Sequence, residues 1–321
     1  MCVEGTASGW EPVLSGIPQG SVLGPLLFII FINDLDLSII NTILKFADDT
    51  KVFGSIRTDT DRITVQTDLD KLCSWEEKWL MEFNVSKCKV MHFGSHNKCF
   101  DYCMHGQQTL QVVNSEKDLG VIITDNLKVA DNCNAAYNRA NQMLGLVSRS
   151  IRHRNVDILV RLYKSLVRPH LEYSAPVWNP HYVKDKFLLE KVQRRFTQMF
   201  EELRYLDYHK RLETLKLWSL EERRHRADLI EVFKMVHGLS AVSLSKFFNV
   251  ARSTTRGHTW KLVKSHSNTD MRLHFFSSRV LNRWNSLPQE AVDSSSINAF
   301  KGHLDKLRTV KMGFFMDSWS A

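Results

Sequence analysis

The spacing of hydrophobic residues divides the chain into two parts of different character. Up to about residue 125, short apolar runs typical of strands are mixed with longer helical patterns and separated by turn-forming residues. Beyond that point, apolar residues recur at steps of three and four, as they do on one face of a helix. The pattern therefore predicts an α+β fold class, with a mixed segment over 1–125 followed by a mostly helical region.

Two predicted elements of the first part are important for function. The block 22–35 is apolar almost all round, which predicts a helix buried on every side. Two short β-prone runs, 43–47 and 51–54, flank Asp48 and Asp49. We expect a hairpin whose turn carries both aspartates, because adjacent Asp residues suit a tight turn between strands.

The remaining patterns complete the division of the chain. Helical spacing predicts an amphipathic helix over 65–83, and strands are expected at 89–93, 109–113 and 119–123, with a polar connection at 114–118. The second part is predicted to contain a basic helical region over 126–238, a Ser/Thr-rich linker over 239–259 and a terminal helical segment over 260–321. Three prolines are expected to interrupt its helices: Pro169, Pro176 and Pro180.

Charge strengthens this division. The 321 residues carry a net charge of +8, but the first 120 hold 10 basic and 16 acidic residues, whereas the rest hold 33 and 19. The excess of positive charge in the second part favours a polyanionic partner. Six cysteines without a recognisable leader indicate reduced thiols, and the longest apolar run, 26–32, is far shorter than a membrane span. We expect an intracellular protein, in the cytoplasm and/or the nucleus, that is not secreted and has no membrane partner.

Two strings about thirty residues apart carry a family resemblance. Ser15-Gly16-Ile17-Pro18-Gln19-Gly20-Ser21 and Phe46-Ala47-Asp48-Asp49 resemble motifs B and C of the reverse transcriptase palm of non-LTR, LINE-type, jockey-like retrotransposons. Segments similar to motifs D and E follow in family order, at 79–89 and 117–120, and two further blocks, 166–173 and 276–285, resemble carboxy-terminal parts of these proteins. The resemblance implies a partial palm over 1–125, a thumb-like region and RNA-directed DNA polymerase activity.

The resemblance also implies a metal site at the aspartate pair. Nucleotidyl transfer uses two divalent ions to activate the primer 3′ hydroxyl and to neutralise the leaving pyrophosphate. Magnesium (Mg²⁺) takes oxygen ligands, and a turn would expose the carboxylates of Asp48 and Asp49 to it. The partners implied are an RNA template, a DNA primer and deoxynucleoside triphosphates. The simpler alternative is a solvated turn without a metal.

Further site residues are implied by position within the motifs. In motif B, the resemblance assigns nucleotide and template contacts to Gly16, Pro18, Gln19 and Gly20, against the alternative of an ordinary loop before a helix. Lys87 matches the lysine of motif D, which delivers a proton to pyrophosphate, although it is equally compatible with a surface cation. Leu119 and Gly120 match the primer-gripping hairpin, and core packing is the competing explanation.

One expected part of the family pattern is missing from this sequence. The first catalytic aspartate of the family lies in motif A, several dozen residues upstream of motif B, but only fourteen residues precede Ser15. We therefore expect a carboxy-terminal fragment without fingers, with an incomplete set of metal ligands and no catalytic activity. The competing hypotheses are a non-catalytic, nucleic-acid-binding remnant of a mobile element and an unstable relic without a function.

Two other sets of residues are candidates for binding sites. Lys191, Arg194 and Arg195 lie on a predicted helix of the basic region, where they would contact the nucleic-acid backbone. A solvated helix face with glutamate neighbours is the alternative. A zinc site at His96, Cys99, Cys103 and His105 is rejected, because structural zinc sites join two ligand pairs across a longer loop.

Overall fold

A computed structural model describes residues 2–3, 6–7, 9, 20–94, 97–151, 155–251 and 257–317. The chain divides into two compact units, Met1–Asn114 and Ser115–Ala321. The first unit mixes helices with short strands, and the second is mostly helical, which confirms the predicted α+β class. None of the helices among these residues is long and apolar enough to cross a membrane.

Among its described residues, the first unit contains two helices and eight short strands. Its helices are α1 (Leu23–Phe31), which continues into a 3₁₀ turn at Ile32–Asp34, and α2 (Asp59–Trp79); a second 3₁₀ turn covers Val85–Lys87. Its strands are β1 (Cys2–Val3), β2 (Thr6–Ala7), β3 (Thr42–Phe46), β4 (Asp49–Phe53), β5 (Lys89–Val90), β6 (Cys103–Met104), β7 (Gln108–Thr109) and β8 (Gln111–Val112). They pair as β1–β2, β3–β4, β6–β7 and, in parallel, β5–β8.

Helix α2 organises the packing of this unit. Its start is fixed by a capping box in which the Thr58 hydroxyl accepts a bond from the Asp61 N–H, while the Asp61 carboxylate accepts from Thr58. It ends where Leu80 adopts a left-handed conformation, with φ of 53°. The helix thus begins and ends earlier than the predicted 65–83. Its buried Leu72 and Trp75 pack against the segment that follows α1.

Helix α1 forms where predicted, but the expectation that it is buried on every side is wrong. None of its residues is buried, and Leu23 and Ile30 are 62% and 63% exposed. Ile32 and Leu35, just beyond the helix, are buried in the core, and within α1 the half-buried Phe28 packs against them. An all-round apolar helix needs partners on all sides, and the described part of the chain covers it on one side only.

The second unit begins with a hairpin and continues with helices. Strands β9 (Ser115–Asp118) and β10 (Val121–Thr124) are antiparallel, so the polar segment that was predicted to be a connection is itself a strand. The hairpin belongs to the unit Ser115–Ala321. Asn132 Oδ1 accepts a bond from the Ile122 N–H at 3.0 Å, which ties β10 to the helix that follows.

The helices of this unit are α3 (Ala130–Ser150), α4 (Val156–Leu162), α5 (Arg168–Glu172), α6 (Ala175–Trp178), α7 (Val183–Thr197), α8 (Tyr208–Thr214), α9 (Leu220–Val236), α10 (Asp270–His274), α11 (Phe276–Arg279), α12 (Leu281–Asn285), α13 (Gln289–Val292) and α14 (Ile297–Val310). Short 3₁₀ turns cover Glu201–Leu203 and Leu244–Lys246. One buried cluster joins α3 to α7, and another joins α9 to α14 through Trp284 and Phe300. Phe248, in the predicted linker, is buried in the second cluster.

Pro169 does not interrupt the helical run in which it lies, contrary to the prediction. Between α4 and α5, residues Tyr163–Val167 form a π-helical turn in which the Arg168 N–H bonds to the Tyr163 carbonyl. Pro169 follows directly, in the first turn of α5. The wider turn accommodates a ring that cannot donate a hydrogen bond, so the chain stays helical across it.

Candidate functional site

The two aspartates lie at the tip of the β3–β4 hairpin. Phe46 pairs with Asp49, so the turn consists of Ala47 and Asp48, while Asp49 is the first residue of β4. Ala47 adopts a left-handed conformation with φ of 52°, which closes the turn in two residues. Both aspartates are exposed. The predicted hairpin therefore forms and presents two adjacent carboxylates.

The strands of this hairpin are held in place by contacts with the rest of the first unit. The inward side chains of Ile43 and Val52 pack on the cluster that contains Leu72 and Trp75. Lys45 Nζ donates to Asp36 Oδ1 at 2.6 Å and to the carbonyls of Ile32 and Asn33, in the 3₁₀ turn after α1, at 3.1 Å each. The hairpin is thus attached to α2 and to the turn that follows α1.

A buried carboxylate, Asp68, anchors the entry into the hairpin. Its oxygens accept from the Ile40 N–H at 3.0 Å, from the Asn41 N–H at 2.8 Å and from Asn41 Nδ2 at 2.9 Å. Burial opposes ionisation of Asp68, but these hydrogen bonds outweigh it and hold the pKa of the carboxyl below its usual value. Sequence reasoning missed this residue. The available signal was an acid three positions after Val65 and four before Leu72, on the apolar face of α2.

Of the motif B residues, only Gly20 can be placed. Gly20 is exposed and has a φ of 84°. It precedes Ser21, whose hydroxyl accepts a hydrogen bond from the Gly24 N–H at 3.0 Å at the start of α1. Gly16, Pro18 and Gln19 lie outside the described residues. Lys87 is exposed at the end of a 3₁₀ turn, and no contact within the described part joins it to either aspartate.

Leu119 and Gly120 form the two-residue turn between β9 and β10, with φ of 42° and 87°. The Tyr173 hydroxyl donates to the Leu119 carbonyl at 2.9 Å. A Cβ atom at Gly120 would lie 3.0 Å from Tyr173 Cε1, so a side chain would press on that ring. Beneath the turn is a pocket of about 140 Å³ whose lining includes Arg139 and His170. The turn that matches the primer grip is therefore supported by an aromatic side chain.

The three predicted backbone-binding cations share helix α7. Lys191 and Arg194 lie over the Phe187 ring at 5.2 and 5.7 Å, and Arg194 also lies 4.2 Å from the Tyr208 ring. Arg195 is exposed and donates to Asn141 Oδ1 at 3.4 Å. None of the three cations forms an ion pair with a described residue.

Two of the glutamates that could neutralise these cations, Glu190 and Glu221, have other partners. Glu190 is buried and accepts hydrogen bonds from the Tyr208 hydroxyl and the Leu220 N–H. Glu221 pairs with Lys186, also on α7, at 2.9 Å. Neither carboxylate therefore forms an ion pair with Lys191, Arg194 or Arg195.

Groups of three potential metal ligands occur at three places in the described part of the chain, and none includes Asp48 or Asp49. They are Cys73, Glu76 and His105; His181, Asp270 and His274; and Glu221, His225 and Asp317. The last group already has cationic partners, because Lys186 and Arg283 bind Asp317. Within the rejected zinc set, His105 lies beside α2, and His96 lies outside the described residues.

Comparisons with known proteins find one matching family and several relatives. Residues 2–133 match the family described as reverse transcriptase (RNA-dependent DNA polymerase). The chain is 27% identical over 232 residues to the RNA-directed DNA polymerase from mobile element jockey of Drosophila melanogaster, covering 67% of this chain and 25% of that protein. It is 28% identical over 213 residues to the polymerase of the same name from Drosophila funebris, covering 60% and 23%.

A third relative is the probable RNA-directed DNA polymerase from transposon X-element of Drosophila melanogaster. It is 26% identical over 207 residues, which are 58% of this chain and 22% of that protein. The chain thus spans about a quarter of the length of the curated relatives it matches. No solved structure matches it.

Proposed function

Residues 2–133 are a reverse transcriptase segment of the non-LTR, jockey-like kind, and from this we propose that the chain serves RNA-directed DNA synthesis by a mobile element. The proposed reaction extends the 3′ end of a DNA primer on an RNA template, with deoxynucleoside triphosphates as substrates. The observation that carries the proposal is the exposed pair Asp48 and Asp49 at the tip of an anchored hairpin.

The residues present fit a divalent metal. Carboxylate oxygens are ligands that Mg²⁺ prefers, and no hydrogen bond or ion pair to either side chain forms within the described part of the chain. Bound magnesium would activate the primer hydroxyl and neutralise the charge on the leaving pyrophosphate. The role of Asp48 and Asp49 is to hold the ion at a fixed place, which the packing of β3 and β4 defines.

The chain by itself is proposed to bind substrates without extending a primer. No third acidic, histidine or cysteine group clusters with Asp48 and Asp49 among the residues that the structure describes. Two-metal catalysis depends on ligands that hold both ions in place. Gly16, Pro18, Gln19 and Gly20 remain proposed nucleotide and template contacts, Lys87 a proposed proton donor, and Leu119 with Gly120 a proposed primer contact.

A second candidate function is nucleic-acid binding without catalysis. The cations of α7 favour it, because Lys191, Arg194 and Arg195 have no carboxylate partner in the described chain. Such contacts to phosphates need no base-specific residues. Either function places the protein inside the cell, in the cytoplasm and/or the nucleus.

Metal-dependent nucleotide binding tests the first proposal. The full chain is mixed with Mn²⁺ in place of Mg²⁺. The concentration of free Mn²⁺ is then measured by electron paramagnetic resonance as a deoxynucleoside triphosphate is added. Asp48→Asn and Asp49→Asn should each weaken binding by roughly ten- to a hundredfold, since an interaction with a charged group contributes on the order of 1.5–3 kcal/mol. Asp101→Asn, at an exposed acid in the same unit, is the matched control. Equal binding by all four proteins would contradict a metal site at the hairpin.

Primer extension on an RNA template tests the proposed inactivity separately. The wild-type chain should incorporate no more nucleotide than Asp48→Asn does. Magnesium-dependent extension that Asp48→Asn abolishes would show that the chain is active, and would still support the polymerase site.

A further inference from the structure

The second unit contains a pocket with an unusual concentration of positive charge. It has a volume of about 280 Å³, and its lining includes Lys164, Arg168, Lys216, Arg223, Arg226 and the ring of Trp218. None of these residues belongs to the α7 group described above. The five cations come from three separate stretches of sequence, so the pocket exists only in the folded unit.

Carboxylates neutralise only part of this charge. Arg223 forms a bidentate pair with Glu172, which also lies 3.5 Å from Arg168, and Arg226 lies 3.2 Å from Asp305. Lys164 and Lys216 form no ion pair with a described residue. Burial, together with Arg168 and Arg223, lowers the pKa of Lys164, and burial with Arg223 nearby lowers that of Arg168. The pocket therefore holds like charges that a bound anion would relieve.

Lys216 occupies a backbone position that favours glycine. It follows α8 with φ of 49°, where the Lys216 N–H bonds to the Glu213 carbonyl and the Leu217 N–H bonds to that of Leu212. This hydrogen-bond pattern defines a Schellman motif, in which the left-handed residue is usually glycine. A lysine there costs backbone free energy, so its presence is better explained by its side chain than by the turn.

Lys164 and Arg226 provide two further indications. Lys164 lies in the π-helical turn, a feature that often marks functional sites in helices. Arg226 Nε is buried without a hydrogen-bond partner, and its guanidinium lies 5.2 Å from the Trp218 ring. A donor without an acceptor is expected to bond to a ligand oxygen when one is present.

We propose that this pocket binds a phosphate group, with Lys164, Lys216 and Arg226 as its donors. The proposal rests on the proposed function for the source of the phosphate, a single-stranded nucleic-acid backbone. Arg226 and Arg308 already lie over the Trp218 ring, at 5.2 and 4.8 Å, so the pocket is proposed to contact the phosphate and not a base. A free phosphate compound, such as pyrophosphate, offers the same chemistry, and the experiment separates the two sources.

The test is a salt titration of single-stranded RNA binding by the full chain. Lys164→Gln and Lys216→Gly should each weaken binding and flatten the log–log salt slope by roughly 0.7, the contribution of one phosphate contact on a single strand. Lys210→Gln and Lys246→Gln, at exposed lysines outside the pocket, are matched controls that should leave the slope unchanged. Lys216→Gly should keep or raise the thermal midpoint, because glycine relieves the backbone, so lost binding cannot be ascribed to unfolding.

Pyrophosphate identifies the source of the phosphate. If nucleic acid is the ligand, pyrophosphate competes weakly with RNA, and Asp48→Asn leaves the slope intact even if the polymerase proposal fails. If free phosphate is the ligand, pyrophosphate raises the thermal midpoint of the wild type, and Lys164→Gln and Lys216→Gly remove that shift. Unchanged slopes in both variants, together with no pyrophosphate-dependent shift in the wild type, would overturn the proposal.

Discussion

Asp68 Oδ2 accepts hydrogen bonds from both the backbone N–H and the side-chain amide of Asn41, at 2.8 and 2.9 Å. Asn41 is the residue just before β3, so a carboxylate on α2 fixes the place where the hairpin begins. Gly54, just after β4, must lack a side chain, because a Cβ atom there would overlap Asn41 Oδ1. Both ends of the hairpin that carries Asp48 and Asp49 therefore meet at Asn41.

Removing this anchor should loosen the hairpin. Asp68→Ala leaves the N–H groups of Ile40 and Asn41 without their acceptor, and an unsatisfied buried donor costs about 1–3 kcal/mol. We expect the free energy of unfolding to fall by that order, with faster hydrogen exchange over 42–53. Asp70→Ala, at an exposed acid on the same helix, should change stability by less than about 0.5 kcal/mol. Unchanged exchange in Asp68→Ala would refute the anchoring role.

The same carboxylate should make stability depend on pH. Because the folded pKa of Asp68 is lowered, its contribution is complete above the ordinary carboxyl value of about 3.9 and is lost as pH falls through the folded pKa. The measurement is denaturant unfolding of wild type and Asp68→Asn between pH 6 and about pH 2.5. The wild type should be the more stable at pH 6, and the difference should shrink below about pH 4. A constant difference would mean that Asp68 does not titrate as proposed.

The local pattern of hydrophobic and polar residues was sufficient to predict some elements of the fold and insufficient to predict others. The hairpin at 42–53 was predictable because two β-prone runs enclose a turn signal within a few residues. The strand Ser115–Asp118 was missed because its residues are polar, and only pairing with β10 makes them a strand. The exposure of α1 was also unpredictable. The hydrophobicity of a helix indicates that its side chains favour burial, but it does not indicate whether other elements of the chain pack against them.

The candidate sites follow the same division. Asp48 and Asp49 are adjacent in sequence, so a short motif identifies them. Asp68 lies on another element, and its partners are backbone N–H groups that no residue type reveals. The cationic pocket brings together residues from 164 to 226, a separation over which sequence spacing carries no geometry. The sequence therefore predicts the net positive charge of this region. It does not predict that five of the cations line one pocket.

The turn at Leu119 and Gly120 offers a test of coupling. Gly120→Ala should cost about 1–2 kcal/mol, because alanine is strained at φ of 87° and its Cβ would press on Tyr173. Tyr173→Ala alone removes the hydrogen bond to the Leu119 carbonyl. The double variant has no ring for the alanine Cβ to press on. Its loss of unfolding free energy should therefore be smaller than the sum of the two single-variant losses, by at least about 0.5 kcal/mol. Simple additivity in denaturant unfolding would show that the ring does not press on the turn.

Exposed apolar side chains of the first unit should cause self-association. Leu26 and Ile30 on α1 are 54% and 63% exposed, and Leu44 and Phe46 on β3 are 55% and 64% exposed. Exposed apolar surface promotes association. Leu26→Gln with Ile30→Gln should reduce the weight-average mass in sedimentation and the binding of a hydrophobic dye, with a stability change below about 1 kcal/mol. Ile32→Gln, at a buried position just after α1, should instead lower stability by several times that amount. Unchanged association in the double variant would exclude α1 as its cause.

The surface cations of α7 differ in their surroundings, so their substitution should have different effects. Lys191 and Arg195 are exposed, whereas Arg194 is half-buried over the Tyr208 ring, 4.2 Å from its centre. Lys191→Gln with Arg195→Gln should therefore flatten the salt slope for single-stranded RNA by roughly 1.4, two contacts at 0.7 each, with little change in the thermal midpoint. Arg194→Gln should lower the free energy of unfolding by about 1–2 kcal/mol, the scale of a partly desolvated cation–π contact, and change the slope less. Salt titrations of RNA binding and thermal unfolding of both proteins measure these two effects. If Arg194→Gln flattens the slope as much as the double variant does while stability is unchanged, Arg194 binds phosphate and its contact with Tyr208 is incidental.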